Sequence, residues 1–174
     1  MDQGIAGLLG AALGGAIGVA GTLGAARLTG RDQRRGQHEH WRRTERRGAY
    51  SHLLSKVSEA MRVGGKALDA YEDELPEAGA LIGQFDEMVH TLDEAESLVA
   101  LEGPESAEAA AMELVGAVYQ FSNVLVLTHA VDEGEYIPSL HEPPLGSTSL
   151  WDAKGKAYEA SDAFIRLCRR LLDE

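Results

Sequence analysis

The sequence predicts an all-α fold: an N-terminal Gly/Ala-rich transmembrane helix, a basic juxtamembrane segment and a four-helix bundle. Three observations predict it. Residues 4–26 carry no charge, an arginine-rich stretch begins at residue 27, and residues 48–174 repeat apolar side chains at helical spacing with no convincing alternating strand.

Residues 4–26, "GIAGLLGAALGGAIGVAGTLGAA", hold eight glycines, seven alanines, one threonine and seven larger aliphatics. At about 1.5 Å per residue such a helix spans roughly 34 Å, slightly more than a hydrocarbon core of about 30 Å. On a helical wheel all eight glycines fall within one half-circle, and Ile5, Leu8, Leu9, Leu13, Ile17, Val19 and Leu23 fall almost entirely on the other. Gly10, Gly14 and Gly18, extended by Ala6, Thr22 and Ala26, form a small-xxx-small row. Such a row lets two backbones approach closely in lipid, so these glycines are the predicted contact in a homo-oligomer. Two other readings compete. A signal peptide would place positive charge before the apolar stretch, whereas this chain begins Met-Asp-Gln, although Gly24-Ala25-Ala26 resembles a cleavage site. A flexible linker would be richer in serine and would not sort its aliphatics onto one face.

The segment 27–47, "RLTGRDQRRGQHEHWRRTERR", carries eight arginines against three acidic residues, a net of +5. Basic residues flanking a membrane helix stay in the cytoplasm, which predicts a single-pass protein of the cytoplasmic membrane with its N-terminus outside and residues 48–174 inside. Arg27, Arg31, Arg34 and Arg35 are the expected contacts to anionic lipid, each contributing about 1 kcal/mol. A basic run is also a nucleic-acid footprint. Here the lipid phosphates are the nearer anions, and residues 48–174, with 24 acidic residues against eight lysines and arginines (net −16), would repel nucleic acid. The acidic side chains read mainly as a solvated exterior, with a docking surface for a basic partner as the sharper alternative. The single cysteine, Cys168, excludes an internal disulfide and a cysteine zinc site.

Within the body, Tyr50, Leu53, Leu54, Val57, Met61, Ala67, Leu68 and Tyr71 keep a helical spacing up to the break at Leu75-Pro76. A second helix is expected to carry Leu81, Ile82, Phe85, Met88, Val89, Leu92, Leu98 and Val99 and to stop before Gly103. Pro104 suits the first turn of a third helix, with Glu105 and Glu108 near its positive end and a run to about Ala130. The stretch "DEGEYIPSLHEPPLGSTS" is irregular and holds three of the five prolines. Ser149 with Asp152 resembles a capping pair opening the last helix, where Ala157, Ser161, Phe164, Cys168 and Leu171 follow a heptad. Four antiparallel helices in this length enclose a single core.

No catalytic or metal constellation is complete. Glu87-Met-Val-His90 is half of a di-iron bundle motif, but no second Glu-x-x-His exists. His90, with Asp86 and Glu94 four residues to either side, reads as part of a charged exposed stripe. His38 and His40 stand nearly opposite on a helix and cannot share one ion. Ser161 and Cys168 lie on a core stripe. His129 and His141 flank the irregular stretch, where a ligand cleft could form. These readings predict no catalytic residues, no metal and no cofactor.

The order of the Gly/Ala-rich anchor, "LTGR", the collar with "HWRRTERRGAYSHLL" and "LVALEGPESAEAAAMEL" resembles a broad group of small membrane-anchored helical proteins of actinobacteria. The resemblance covers the chain to about Leu114 and more loosely the final helix. It implies location and architecture and no activity. The glycine content is higher here than is usual in that group, which points to an intimate assembly in the membrane.

The sequence thus predicts a non-enzymatic membrane module that self-associates and presents an acidic bundle to a protein partner. The alternatives are a membrane-perturbing or pore-forming effector, and a ligand sensor or enzyme built on the Pro-rich loop.

Overall fold

The computed structural model describes residues 41–136 and 145–173. Among these the chain is all-α, with no strand. Helix α1 covers 41–72, α2 Ala78–His90, α3 Leu92–Glu102, α4 Glu105–Asp132 and α5 Ser147–Asp173. Residues Thr44–Glu174 form one compact unit. The glycine row Gly10, Gly14 and Gly18 and the arginines Arg27, Arg31, Arg34 and Arg35 lie outside the described residues.

Helix α1 buries Tyr50, Leu53, Val57, Ala60, Met61, Val63, Ala67 and Leu68, as the three- and four-residue spacing dictates. It ends in a Schellman motif: Leu75 N donates to Ala70 O at 2.8 Å and Glu74 N to Tyr71 O at 3.1 Å. That motif needs a left-handed residue, and Glu74 occupies it at φ 51°. Pro76 follows and cannot extend the helix.

The expected second helix is two helices. The break falls at Thr91, whose backbone N–H and hydroxyl both donate to Met88 O, at 3.0 and 2.8 Å. A hydroxyl that competes for a backbone carbonyl loosens the helical ladder. The buried stripe nevertheless runs through the break as Ile82, Phe85, Val89, Leu92, Ala95 and Val99. Leu98, expected in the core, is 39% exposed beside Leu101 at 78%, because α3 buries only the narrow stripe of Leu92, Ala95 and Val99.

The α3–α4 connection requires glycine at residue 103. A Cβ there would lie 2.7 Å from Val99 O and 3.0 Å from the Ala107 Cβ. Pro104 is the extended residue preceding α4 rather than part of its first turn, which holds Glu105 and Glu108 as expected. Helix α4 packs against α2, α3 and α5. Gly64 of α1 abuts the Phe121 ring on α4 as well as the Phe85 ring on α2. One described helix, α4, is long and apolar enough to cross a membrane by length and composition. In this fold its buried face, from Ala107 through Leu114, Val118 and Phe121 to Leu125, supplies the centre of the core.

Helix α5 buries Leu150, Ala153, Ala157, Phe164 and Cys168, with Ser161 half-buried on the same stripe. It begins at Ser147, so Ser149 is its third residue and not the cap. Gly146, at φ 131°, makes the entry turn, and its carbonyl accepts from Leu150 N at 3.1 Å. The α1–α5 seam is fixed by the Tyr50 ring edge-on to Phe164 at 5.9 Å and by Trp151 Nε1 donating to Glu72 at 2.7 Å.

Candidate docking groove

Four helix ends meet at one end of the fold: the C-termini of α1 and α4 and the N-termini of α2 and α5. Helix α4 stops as α1 does. Glu135 N donates to Ala130 O and Gly134 N to Val131 O, with Gly134 left-handed at φ 74°. Between these ends lies an open groove of about 1270 Å³. Two helix C-termini and two N-termini share it, so their macrodipoles oppose one another and the side chains set its sign.

Those side chains are acidic. Glu72, Glu74, Asp86, Asp132, Glu133 and Glu135 line the groove, and among the described residues no lysine or arginine does so. Apolar residues line it too: Leu75, Pro76, Ala78, Ile82, Val126 and Ala130. Leu75 is 41% exposed, a large apolar side chain left facing water. On the wall, Tyr71 donates its hydroxyl to Asp132 and stacks at a tilt on His129, ring centroids 6.2 Å apart. Burial, followed by the hydrogen bond to Asp132, pushes the Tyr71 phenol up to about 12. His129 stands close to α2: a Cβ on Gly79 would lie 3.0 Å from its Nε2.

A polar seam leads from the groove along the α2–α4 contact. Ser122, fully buried, donates to Asp86 Oδ1 at 2.9 Å. Asp86 Oδ2 is 3.7 Å from His90 Nε2, and His90 Nδ1 is 3.2 Å from the Tyr119 hydroxyl. Tyr119 donates to both oxygens of Asp93 at 3.2 Å. Burial, with Asp93 second, raises the Tyr119 phenol. A serine, a histidine and an aspartate therefore neighbour one another, but in the wrong order for nucleophilic catalysis. The carboxylate stands between serine and imidazole, so the imidazole cannot take the serine proton. Ser122 is also sealed from substrate.

Among the described residues, no group of three or more His, Cys, Asp or Glu side chains is placed to hold a metal ion. His90 is engaged with Asp86, one turn back on α2, and with Tyr119 across the α2–α4 contact. Cys168 is buried on the core face of α5, and burial pushes its thiol up to about 11, which suppresses the reactive thiolate. His129 does line a cleft beside the irregular stretch; His38, His40 and His141 lie outside the described residues.

Reading the carboxylates as a solvated exterior missed the groove. Its signal was present as two acidic clusters, Glu72-Asp73-Glu74 and Asp132-Glu133-Gly134-Glu135, each at the C-terminus of a helix. In an antiparallel arrangement of four rungs, the first and third rungs end on the same side, which brings the clusters together.

No family model matches this chain, and no curated protein or solved structure does.

Proposed function

We propose that this protein is a non-enzymatic module anchored in the cytoplasmic membrane by residues 4–26, N-terminus outside. It self-associates through Gly10, Gly14 and Gly18 and presents its acidic helical body to a protein partner on the cytoplasmic side. Arg27, Arg31, Arg34 and Arg35 rest against anionic headgroups. The observation that carries the reading is the division of charge: an uncharged 23-residue stretch, then a net of +5 over residues 27–47, then −16 over residues 48–174. The collar holds the chain to the bilayer surface while the acidic body is repelled from it.

Self-association is tested by comparing two faces of the anchor in a membrane reporter assay. Replacing Gly14 with leucine separates the backbones and should reduce association. Replacing Leu9 with alanine, on the opposite face, should leave it unchanged. Equal effects from the two substitutions contradict the glycine contact. Presentation to a partner is tested by photo-crosslinking in intact cells from exposed positions over the body, which should join it to a protein of defined mass.

A second reading draws on α4. Its residues 114–131 hold no Asp, Glu, Lys or Arg, so α4 could leave the core and enter a bilayer. Dye release from vesicles by the full chain would support that reading over the first.

A further inference from the structure

We infer that the groove between the ends of α1, α2, α4 and α5 is the partner site, and that it takes a basic amphipathic helix of a partner protein. The inference rests on the reading of the body as a surface presented to a partner and adds the place and the chemistry. Its volume of about 1270 Å³ exceeds the roughly 300–1,000 Å³ of small-molecule clefts. A peptide segment fits that scale better than a metabolite does.

The lining specifies the segment. Six carboxylates line the groove, and among the described residues no lysine or arginine faces them there. Residues 48–174, at −16, deepen that potential and steer cations toward it. A rim alone would attract any cation. The exposed Leu75 and the half-buried Val126 discriminate, because they gain from covering by apolar side chains that a small polyamine does not carry. Lysines or arginines on one face and leucine-like residues on the other satisfy both, which is the helix-in-groove mode of recognition. Gly83 lines the groove and leaves it open: a Cβ there would meet nothing within 4 Å.

The full-length protein in nanodiscs of neutral lipid is titrated with a fluorescent 14-residue peptide of alanine, lysine and leucine. Its leucines are placed on one helical face, and empty nanodiscs supply the baseline. Saturable binding that weakens at least tenfold in Gly83→Leu is expected, since leucine fills the open groove while suiting a helix. The triple variant Glu74→Gln, Glu133→Gln, Glu135→Gln should also lose at least tenfold. Neutralising Glu59, Glu94 and Glu105, which do not line the groove, should cost less than threefold. Circular dichroism and thermal unfolding confirm that each variant folds. Unaltered affinity in folded Gly83→Leu, or equal losses from the two triple variants, overturns the groove as the site. Displacement of the peptide by spermidine at matched charge overturns the amphipathic assignment. A peptide of residues 27–47 binding tenfold tighter at the same site overturns the separate partner in favour of a second copy of this chain. Crosslinks from the body that avoid the groove in cells would defeat this inference while leaving the wider reading standing.

Discussion

A Cβ built on Gly64 would sit 2.7 Å from Phe85 Cζ and 2.9 Å from Phe121 Cε1, so α1 reaches the centre of the core only because residue 64 has no side chain. Phe85 and Phe121 are both fully buried with centroids 5.1 Å apart, and neither ring is free to swing away. Alanine at residue 64 would gain about 1 kcal/mol of helix propensity. Forcing a methyl group into a packed core costs roughly 1–3 kcal/mol. Gly64→Ala should therefore be destabilised by up to about 2 kcal/mol, read as a fall in Tm of up to roughly 8 °C. A Tm at or above the parent's would mean the rings are more loosely held than described.

Tyr50 gives the opposite sign. Its hydroxyl is buried with no hydrogen-bond partner among the described residues, 3.2 Å from where a Cβ on Gly103 would stand. Burial, with Cys168 second, raises its phenol. An unpaired buried hydroxyl is a cost, and deleting it while keeping the ring relieves that cost. Tyr50→Phe should be neutral or more stable by up to about 1 kcal/mol, whereas Tyr50→Ala should lose about 3–5 kcal/mol with the ring. Chemical denaturation distinguishes the two, and a clear loss in Tyr50→Phe would reveal a partner for the hydroxyl.

The Tyr71 phenol sets an alkaline limit. Its folded value of about 12 stands above the ordinary 10.0, so the folded state holds this proton more tightly than the unfolded chain. The sign follows from linkage: the contribution is fully present below about pH 10 and is lost as pH rises from there through about 12. Cys168, held at about 11 against 9.0, adds a loss that begins one unit lower. Stability should fall over this range, and Tyr71→Phe should flatten the upper part of the fall. An identical alkaline profile in Tyr71→Phe would remove Tyr71 as its source.

Much of this fold is legible in the sequence, and the limits have physical causes. The buried stripe of α1 and the heptad of α5 follow from spacing, because each helix turns one face to the core. The break at Thr91 is not legible from periodicity, since Val89 and Leu92 keep a three-residue step across it. It depends on a single hydroxyl choosing the Met88 carbonyl. The fate of Leu98 is equally hidden: its spacing from Ala95 suits burial, and only the placement of α3 turns it outward. The groove is a tertiary property. Glu74 and Glu133 are 59 positions apart in the chain, and they meet because two helices end at the same level. The two acidic clusters are legible in the sequence, but only the antiparallel topology brings them together.

Residues 44–174 enclose a continuous core and should fold without the preceding chain. A fragment of these residues should be soluble and strongly helical by circular dichroism at neutral pH, with a cooperative thermal transition. Aggregation despite the high negative charge would mean that the body depends on its anchor or on a partner.

Which side of the membrane the acidic body occupies is measured directly by protease protection in spheroplasts of cells expressing the full chain. Under the proposed topology, with residues 48–174 in the cytoplasm, externally added protease should leave them intact until the membrane is permeabilised. Digestion of the body in sealed spheroplasts, alongside an intact cytoplasmic marker, would contradict the proposed topology and with it the presentation of the groove to a cytoplasmic partner.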